Sequence, residues 1–349
     1  MSDLDIGSSA IATGHRHSED LADPADLWAP PYHILMSQTL QYPEVEHLLA
    51  EGTAFVVQGA VFDAELWTPN AIVRNLGEKE CTLFECNKGT TRKSTIANFF
   101  RKFGKQHSGC WKLKVRGMQL SPAIALPAPL LPRPDGLHNI AAHFPRNKDA
   151  ITPDIGPKLY AAYKSLETRG GNGSTRLHMD MASAMNIMMW SSTVGRAKEA
   201  GTAVWDIYRP EHSSTIHSFL WSRHGTADGI DPIYSEQYYL DSVTRKQLYK
   251  QHGIVGYRIY QRPGDAVFVP AGCAHQVCNL ADCIKIVVDF LSISCLKQCA
   301  KLTKEFQGEN LLESAWKPDV LELAKTTFHA WNSFSQLCSQ AALSSQTLP

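Results

Sequence analysis

Several things that would quickly classify a chain are missing here. None of the 349 residues belongs to a run approaching the ~20 uninterrupted apolar residues that span a bilayer. The acidic, small-polar N-terminus has no signal-peptide core. Excess charge of either sign is also absent. The 34 Lys and Arg balance 34 Asp and Glu, so there is no bulk attraction to nucleic acid, and no direct DNA-binding motif stands out. The nine cysteines include no Cys-x2-Cys pair of the kind that closes a structural zinc site. An odd count without a signal peptide predicts reduced, mostly buried thiols. Together these absences predict a soluble intracellular protein with no membrane association. At 44% hydrophobic residues the chain can build one large domain or two small ones.

The informative residues are His178-Met179-Asp180 and, far downstream, His275 at the end of Gly264-Asp265-Ala266-Val267-Phe268-Val269-Pro270-Ala271-Gly272-Cys273-Ala274-His275. Two histidines and one carboxylate hold a non-haem Fe(II) on one face and leave the other open. On a regular strand, positions i and i+2 point the same way, so His178 and Asp180 would reach one metal together. With 14 histidines in the chain, His-x-Asp alone is a weak signal. The strand-turn-strand pattern leading to His275 supplies the third ligand in a setting of short antiparallel strands.

Thr175 to Asp180 followed by Ala184-Met185-Asn186-Ile187-Met188 resembles the iron-binding strand of the JmjC-domain histone demethylases, and is most similar to the subfamily acting on mono- and dimethylated histone H3 lysine 9. Thr202 to Tyr208, Tyr238 to Asp241, Arg245 to Tyr249, Gly264 to Leu280, Cys283 to Val287 and Leu302 to Phe306 resemble it too. So do Glu65 to Pro69 and Asp154 to Tyr160, and the likeness runs over about residues 50 to 307 in order. It implies a mainly β fold: a double-stranded β-helix, the jelly-roll or cupin-like JmjC barrel, with flanking and inserted α-helices. It also implies a dioxygenase using Fe(II), 2-oxoglutarate and O2 to remove methyl groups from a histone lysine, with formaldehyde, succinate and CO2 as products. His178, Asp180 and His275 would be the catalytic metal ligands. The implied partners are a methylated histone tail and chromatin-associated proteins, with a homodimer also raised, and the implied location is the nucleus. The zinc-finger region that precedes the catalytic domain in large animal members has no counterpart before residue 50, so targeting is expected to come from partners.

Three further residues are candidates for binding 2-oxoglutarate. Lys285 lies in the apolar strand Cys283 to Phe290, where a buried ammonium calls for an anion. It follows His275 by ten residues, as the basic anchor does in some 2-oxoglutarate oxygenases. The alternatives are a lysine snorkelling to the rim or pairing with Asp289. Many JmjC enzymes place the anchoring lysine where this chain has Thr193. Asn186 shares even parity with His178 and Asp180, whereas Thr175 has odd parity and needs a bulge to turn inward. Trp205, Tyr208, Tyr160 and Tyr163 are candidates for the cavity wall or for plain core. Protein side-chain hydroxylation by the same chemistry, or a non-catalytic scaffold, remain alternative functions.

Four regions are expected: a disordered polar tail at 1–40, a mixed α/β part of the catalytic module at 41–170, the barrel core at 171–295, and C-terminal helices packed on the barrel at 296–349. The pattern predicts one strand over 178–190 and others over 203–208, 255–261, 266–269, 275–278 and 283–291. Helices are expected at 157–167, 213–223, 242–252, 296–306 and 320–343. The last would pack through Leu321, Leu323, Ala324, Phe328, Trp331 and Phe334. The proline-rich stretch at 120–136 reads as an extended connection. The Gly-rich stretch at 169–174 reads as a flexible surface turn or a lid.

Overall fold

The computed structural model describes residues 27–35, 42–105, 109–115, 124–125, 136, 138–145, 153–193, 195–224, 231–310 and 321–346. In chain order the N-terminal part contains β1 (Trp28–Ala29), β2 (Tyr32–Leu35), α1 (Tyr42–Ala50), β3 (Phe55–Gln58), β4 (Val61–Phe62) and α2 (Pro69–Leu76). It continues through β5 (Glu80–Glu85), β6 (Thr91–Thr95), α3 (Ile96–Phe100), β7 (Trp111–Val115), β8 (Ile124–Ala125) and β9 (Lys158–Ala162). The central part has β10 (Thr175–His178), β11 (Ser183–Ser191), α4 (Arg196–Glu199), β12 (Ala203–Tyr208), α5 (Ser213–His224) and α6 (Ser242–His252). The chain then adds β13 (Gly256–Gln261), β14 (Ala266–Val269), β15 (Ala274–Asn279), β16 (Cys283–Phe290), α7 (Leu296–Asn310) and α8 (Leu323–Gln346).

Two sheets form the frame. The smaller runs β1-β13-β12-β15-β10, the larger β2-β3-β14-β11-β16-β9-β7-β5-β6. Alternation along each strand decides what lies between them. Val56, Met188, Val267 and Val269 of the large sheet meet Trp205, Ile207, Ile259 and Val277 of the small one in a shared apolar layer. The opposite set on the large sheet (Phe55, Met185, Ile187, Phe268, Ile284 and Ile286) packs into a second cluster with residues of α1, α2 and α3. Both faces are buried, so β11, β14 and β16 read as near-continuous apolar runs. This is the mainly β, double-stranded β-helix layout with flanking and inserted helices that the sequence implied.

Several expectations need correction. The strand expected over 178–190 is two strands in different sheets, β10 in the small and β11 in the large. The chain crosses between sheets at Met179–Ala182, and Asp180 lies in that crossing. The helix expected at 157–167 is β9, hydrogen-bonded between β16 and β7. Its helix-forming residues are overridden by a position where both neighbours complete a ladder. There Leu159 and Ala161 enter the core while Lys158, Tyr160 and Ala162 face the other way. The tail expected to reach residue 40 gives way to β1 and β2, which pair in parallel with β13 and β3. The rest of that expectation, residues 1–26 and 36–40, lies outside the described residues.

Two more segments differ. The loop at 169–174 is pinned: Gly170 N–H donates to Asp241 Oδ2 (2.8 Å), Gly173 N–H to the Leu166 carbonyl (3.0 Å), and Ser174 N–H to the Val277 carbonyl (2.8 Å). That network argues against a lid. On α8, Ala330 and Thr326 are buried, while Phe328 and Trp331 are 61% and 72% exposed. The expected packing face therefore faces solvent at two of its largest residues. In the proline-rich stretch, β8 pairs with β4, and most of the remainder lies outside the described residues.

Candidate metal centre

His178 ends β10 and His275 is the second residue of β15, and the two strands are antiparallel neighbours with His178 opposite His275. The register between them slips: Thr175 pairs with Val277 and His178 with His275, three residues against two. That β-bulge turns Thr175 and His178 toward the same cavity in spite of their opposite parity. Asp180 arrives from the crossing that follows, and its backbone carbonyl accepts from Gly272 N–H (3.4 Å).

The ligand atoms converge. His178 Nε2 is 4.0 Å from Asp180 Oδ1, His275 Nε2 is 3.5 Å from Asp180 Oδ2, and the ring centroids are 4.2 Å apart. All three donor atoms lie within 4.8 Å of one another, and no other such group occurs among the described residues. His178 Nδ1 is 2.8 Å from the Arg176 carbonyl, and His275 Nδ1 is 2.9 Å from the Cys273 carbonyl. Each Nδ1 therefore carries the proton, which leaves the Nε2 lone pairs aimed at Asp180. Burial and the neighbouring His178 charge push His275 down to about 4, so its ring is neutral near pH 7. Burial works to raise the Asp180 carboxyl, but the positive charge of His178, His275, Lys158 and Lys114 outweighs it and holds the group below its ordinary value. Two imidazoles, each oriented by a main-chain carbonyl, and one carboxylate fit a divalent metal on one face.

A cavity of ≈ 130 Å³ opens from this triad between the sheets. Lys285 lies in it, 5% exposed, with Nζ 5.1 Å from the centre of the Trp205 ring. No carboxylate pairs with it among the described residues. Burial lowers its ammonium to about 8. The snorkelling and Asp289-pairing alternatives both fall away, because Asp289 forms its ion pair with Lys158. Thr193, the other position considered, is outside the cavity, its N–H donating to Ser191 Oγ (3.2 Å).

Asn186 also lines the cavity, although on the opposite sheet from His178, so the parity argument reached the right cavity through a strand that does not exist. Its Oδ1 accepts from Gln261 Nε2 (3.3 Å), and Gln261 Oε1 accepts from Trp205 Nε1 (2.9 Å). Trp205 stacks on His275, centroids 6.1 Å apart. Tyr160 lines the cavity, whereas Tyr163 packs on Phe99 and Tyr208 on Trp28.

Sequence reasoning missed four contributors. Gln261 ties Trp205 to Asn186. Lys158 and Asp289 form an ion pair in the cavity wall, and burial raises the Asp289 carboxyl to about 6 against the ammonium beside it. Asn279 shares the His275 face of β15, and its Oδ1 is buried without a partner among the described residues. Alternation from His275 and Lys285 would have found Asn279 and Asp289. Lys158 was hidden by the helix assignment, and Gln261 had no signal.

A match to the family described as "JmjC domain, hydroxylase" covers residues 172–290, from just before β10 to the end of β16. The chain is 31% identical over 322 residues to lysine-specific demethylase 3A-B of Xenopus laevis, covering 77% of this chain and 24% of the relative. Against lysine-specific demethylase 3A of Homo sapiens it is 30% identical over 336 residues, 80% of this chain and 25% of the relative. Lysine-specific demethylase 3 of Drosophila melanogaster is 29% identical over 322 residues, 76% of this chain and 37% of the relative. The chain thus spans about a quarter to a third of the length of these relatives. Residues 172–290, which carry the triad and most of the cavity lining, are a JmjC domain in a chain homologous to the lysine-specific demethylases 3.

Proposed function

We propose that the chain is an Fe(II)- and 2-oxoglutarate-dependent dioxygenase that removes methyl groups from lysine on a histone tail, in the first place mono- and dimethylated histone H3 lysine 9. The observation that carries this reading is the pairing of an intact triad with an unpaired buried cation, Lys285, in one cavity. His178, Asp180 and His275 would hold Fe(II), which with 2-oxoglutarate and O2 supplies the oxidising power to hydroxylate an N-methyl carbon.

The protein's own groups do the rest. Lys285 is suited to the distal carboxylate of 2-oxoglutarate, since a buried ammonium over an aromatic face gains most from an anion it can touch. The Thr175 hydroxyl and the Asn186 amide, whose Oδ1 is already occupied by Gln261, line the same cavity and would offer O–H and N–H donors to the co-substrate. Trp205 covers one side of His275 and keeps water from it. A methylated histone tail is the partner this reading requires, in the nucleus and alongside chromatin-associated proteins; a homodimer is compatible with it.

The same site supports side-chain hydroxylation, and the family description makes that the second reading. A non-catalytic scaffold is disfavoured by the complete ligand set. Mass spectrometry of histone H3 tail peptides with mono-, di- or trimethyl-lysine 9, incubated with Fe(II), ascorbate and 2-oxoglutarate, separates the three. Triad-dependent loss of methyl groups from the mono- and dimethyl peptides is the expected result. Succinate release without a change in any peptide would favour the hydroxylase, and silence with iron bound would favour the scaffold.

A further inference from the structure

A second pocket, of ≈ 280 Å³, adjoins the metal cavity and shares Lys112 and Ser174 with it as a common wall. Two of its residues are in states that ask for an explanation. Glu236 has φ of +54°, one of two non-glycine residues with positive φ among the described residues. Glycine would occupy that conformation without a steric penalty. Glu236 is also exposed, and it makes no ion pair among the described residues although Arg176 and Lys112 line the same pocket. Arg176, two residues before His178, donates through Nη2 to the carbonyls of Cys86 (3.0 Å) and Asn87 (3.1 Å). Its Nε–H is buried and has no acceptor among the described residues.

The backbone explains why Glu236 is held there. Asp231 nucleates a single helical turn, its Oδ1 accepting from Ile233 and Tyr234 N–H, and the Glu236 N–H closes the turn on the Ile233 carbonyl (3.2 Å). The left-handed residue reverses the chain, which then runs beside the metal strand, with Leu177 N–H donating to the Tyr238 carbonyl (2.8 Å). Leu240 is fastened by both ends of the Gln276 amide (2.8 Å each). The backbone of Glu236 is therefore fixed relative to Arg176 and His178. A strained residue kept in a rigid setting next to a reactive centre points to function. A carboxylate with no ion pair among the described residues, in a pocket that shares a wall with the metal cavity, matches a cationic side chain of a peptide.

We propose that this pocket binds the residue next to the modified side chain of a polypeptide substrate, Glu236 pairing with an arginine or lysine there. The proposal rests on the reading of the chain as a peptide-modifying oxygenase and adds to it a requirement for positive charge beside the target. The test compares three dimethyl-lysine peptides that differ only in carrying Arg, Ala or Glu immediately before the target. Binding is followed by fluorescence anisotropy, with Mn(II) and 2-oxoglutarate present and O2 excluded, and demethylation is followed separately by mass spectrometry. The wild-type protein should bind the Arg peptide about tenfold or more tighter than the Ala peptide. That ratio should fall to near one in Glu236→Gln and Glu236→Gly, the second of which also relieves the backbone, and should turn in favour of the Glu peptide in Glu236→Lys. Because each ratio is taken within one protein, a partly misfolded variant does not mimic the effect. A wild-type ratio near one, or a ratio unchanged in the variants, overturns the subsite. Binding with the expected ratios but no demethylation upholds the subsite and removes the demethylase reading, and failure to bind any of the three peptides removes both.

Discussion

The two sheets that enclose the cavity treat charge in opposite ways. On the outer face of the small sheet, buried charges are fully matched: Asp206 bonds Arg258 Nη1 (2.8 Å) and Gln276 Nε2 (2.9 Å), with Arg245 Nη1 at 3.5 Å. Glu167 pairs with both arginines from the loop that leads into β10. On the inner face of the large sheet, Lys285 is as deeply buried as these groups and has no counter-charge among the described residues. A matched buried network fixes geometry, whereas an unmatched buried ammonium carries a desolvation cost that only an absent anion can offset. The contrast divides the labour: the small sheet holds the two histidines still, and under the proposed function the large sheet supplies the cation for the co-substrate.

The largest effect should come from the metal side. His275→Ala removes a ligand, not a support, and should cost more than the roughly 10–100-fold that follows loss of an outer partner. Peptide product by mass spectrometry should fall below detection, and Co(II) absorption bands should weaken in parallel. Retained activity would mean that the triad is not the reaction centre. Next comes the network behind it. Asp206→Ala removes one of the two carboxylates that Arg245 and Arg258 share, leaving them Glu167 alone, and should lower stability by about 3 kcal/mol, read from urea unfolding. A change under 1 kcal/mol would erase the distinction between the sheets.

Lys285→Met tests the other side. It should raise the 2-oxoglutarate KM by about 10–100-fold, the worth of charge-assisted hydrogen bonds, while making the ligand-free protein more stable. The pH dependence follows from the sign of the shift. The Lys285 ammonium is at about 8 when folded and at 10.5 ordinarily, so between these values the unfolded chain holds the extra proton. Stability of the ligand-free wild type should therefore rise relative to Lys285→Met as pH climbs through that window, by up to about 3 kcal/mol. Below pH 8 the penalty is fully present. A difference that stays flat from pH 7 to 10.5 would mean that Lys285 is solvated or paired in solution.

The same contrast explains what could be read from the chain. The triad was legible because ligand identity and the turn before His275 survive in linear form, and β12, β14 and α6 were legible because their periods are local. The strand expected over 178–190 was a false unit, since nothing in an apolar run marks where it leaves one sheet for another. Asp180 reaches the two histidines all the same, from a crossing that permits the approach a strand was expected to supply. The 157–167 segment failed for the opposite reason, its local helix preference being overruled by two neighbouring strands more than 40 and 120 residues away in sequence. Lys285 could be suspected from an isolated charge in an apolar strand, but whether it was paired depended on Asp289 and Lys158, which only the assembled sheet settles.

The smallest effect is the sharpest test of which sheet holds the co-substrate. Thr175 enters the cavity only through the bulge, and its hydroxyl has no hydrogen bond within the described residues. Thr175→Val keeps the shape and removes one donor, so the 2-oxoglutarate KM should rise about 3- to 10-fold while stability stays within about 0.5 kcal/mol. Asn186→Ala also removes one donor, but it deletes buried side-chain atoms and the Oδ1 contact to Gln261, whose Nε2 keeps the main-chain carbonyls of Asn186 and Asp265, so its KM effect should come with a loss of about 1 kcal/mol in stability. If both variants raise KM and only the second unfolds earlier, the two sheets share the co-substrate but only the large one depends on that contact for its packing. If Thr175→Val leaves KM unchanged, the bulge serves His178 alone, and the co-substrate is held from the Lys285 side.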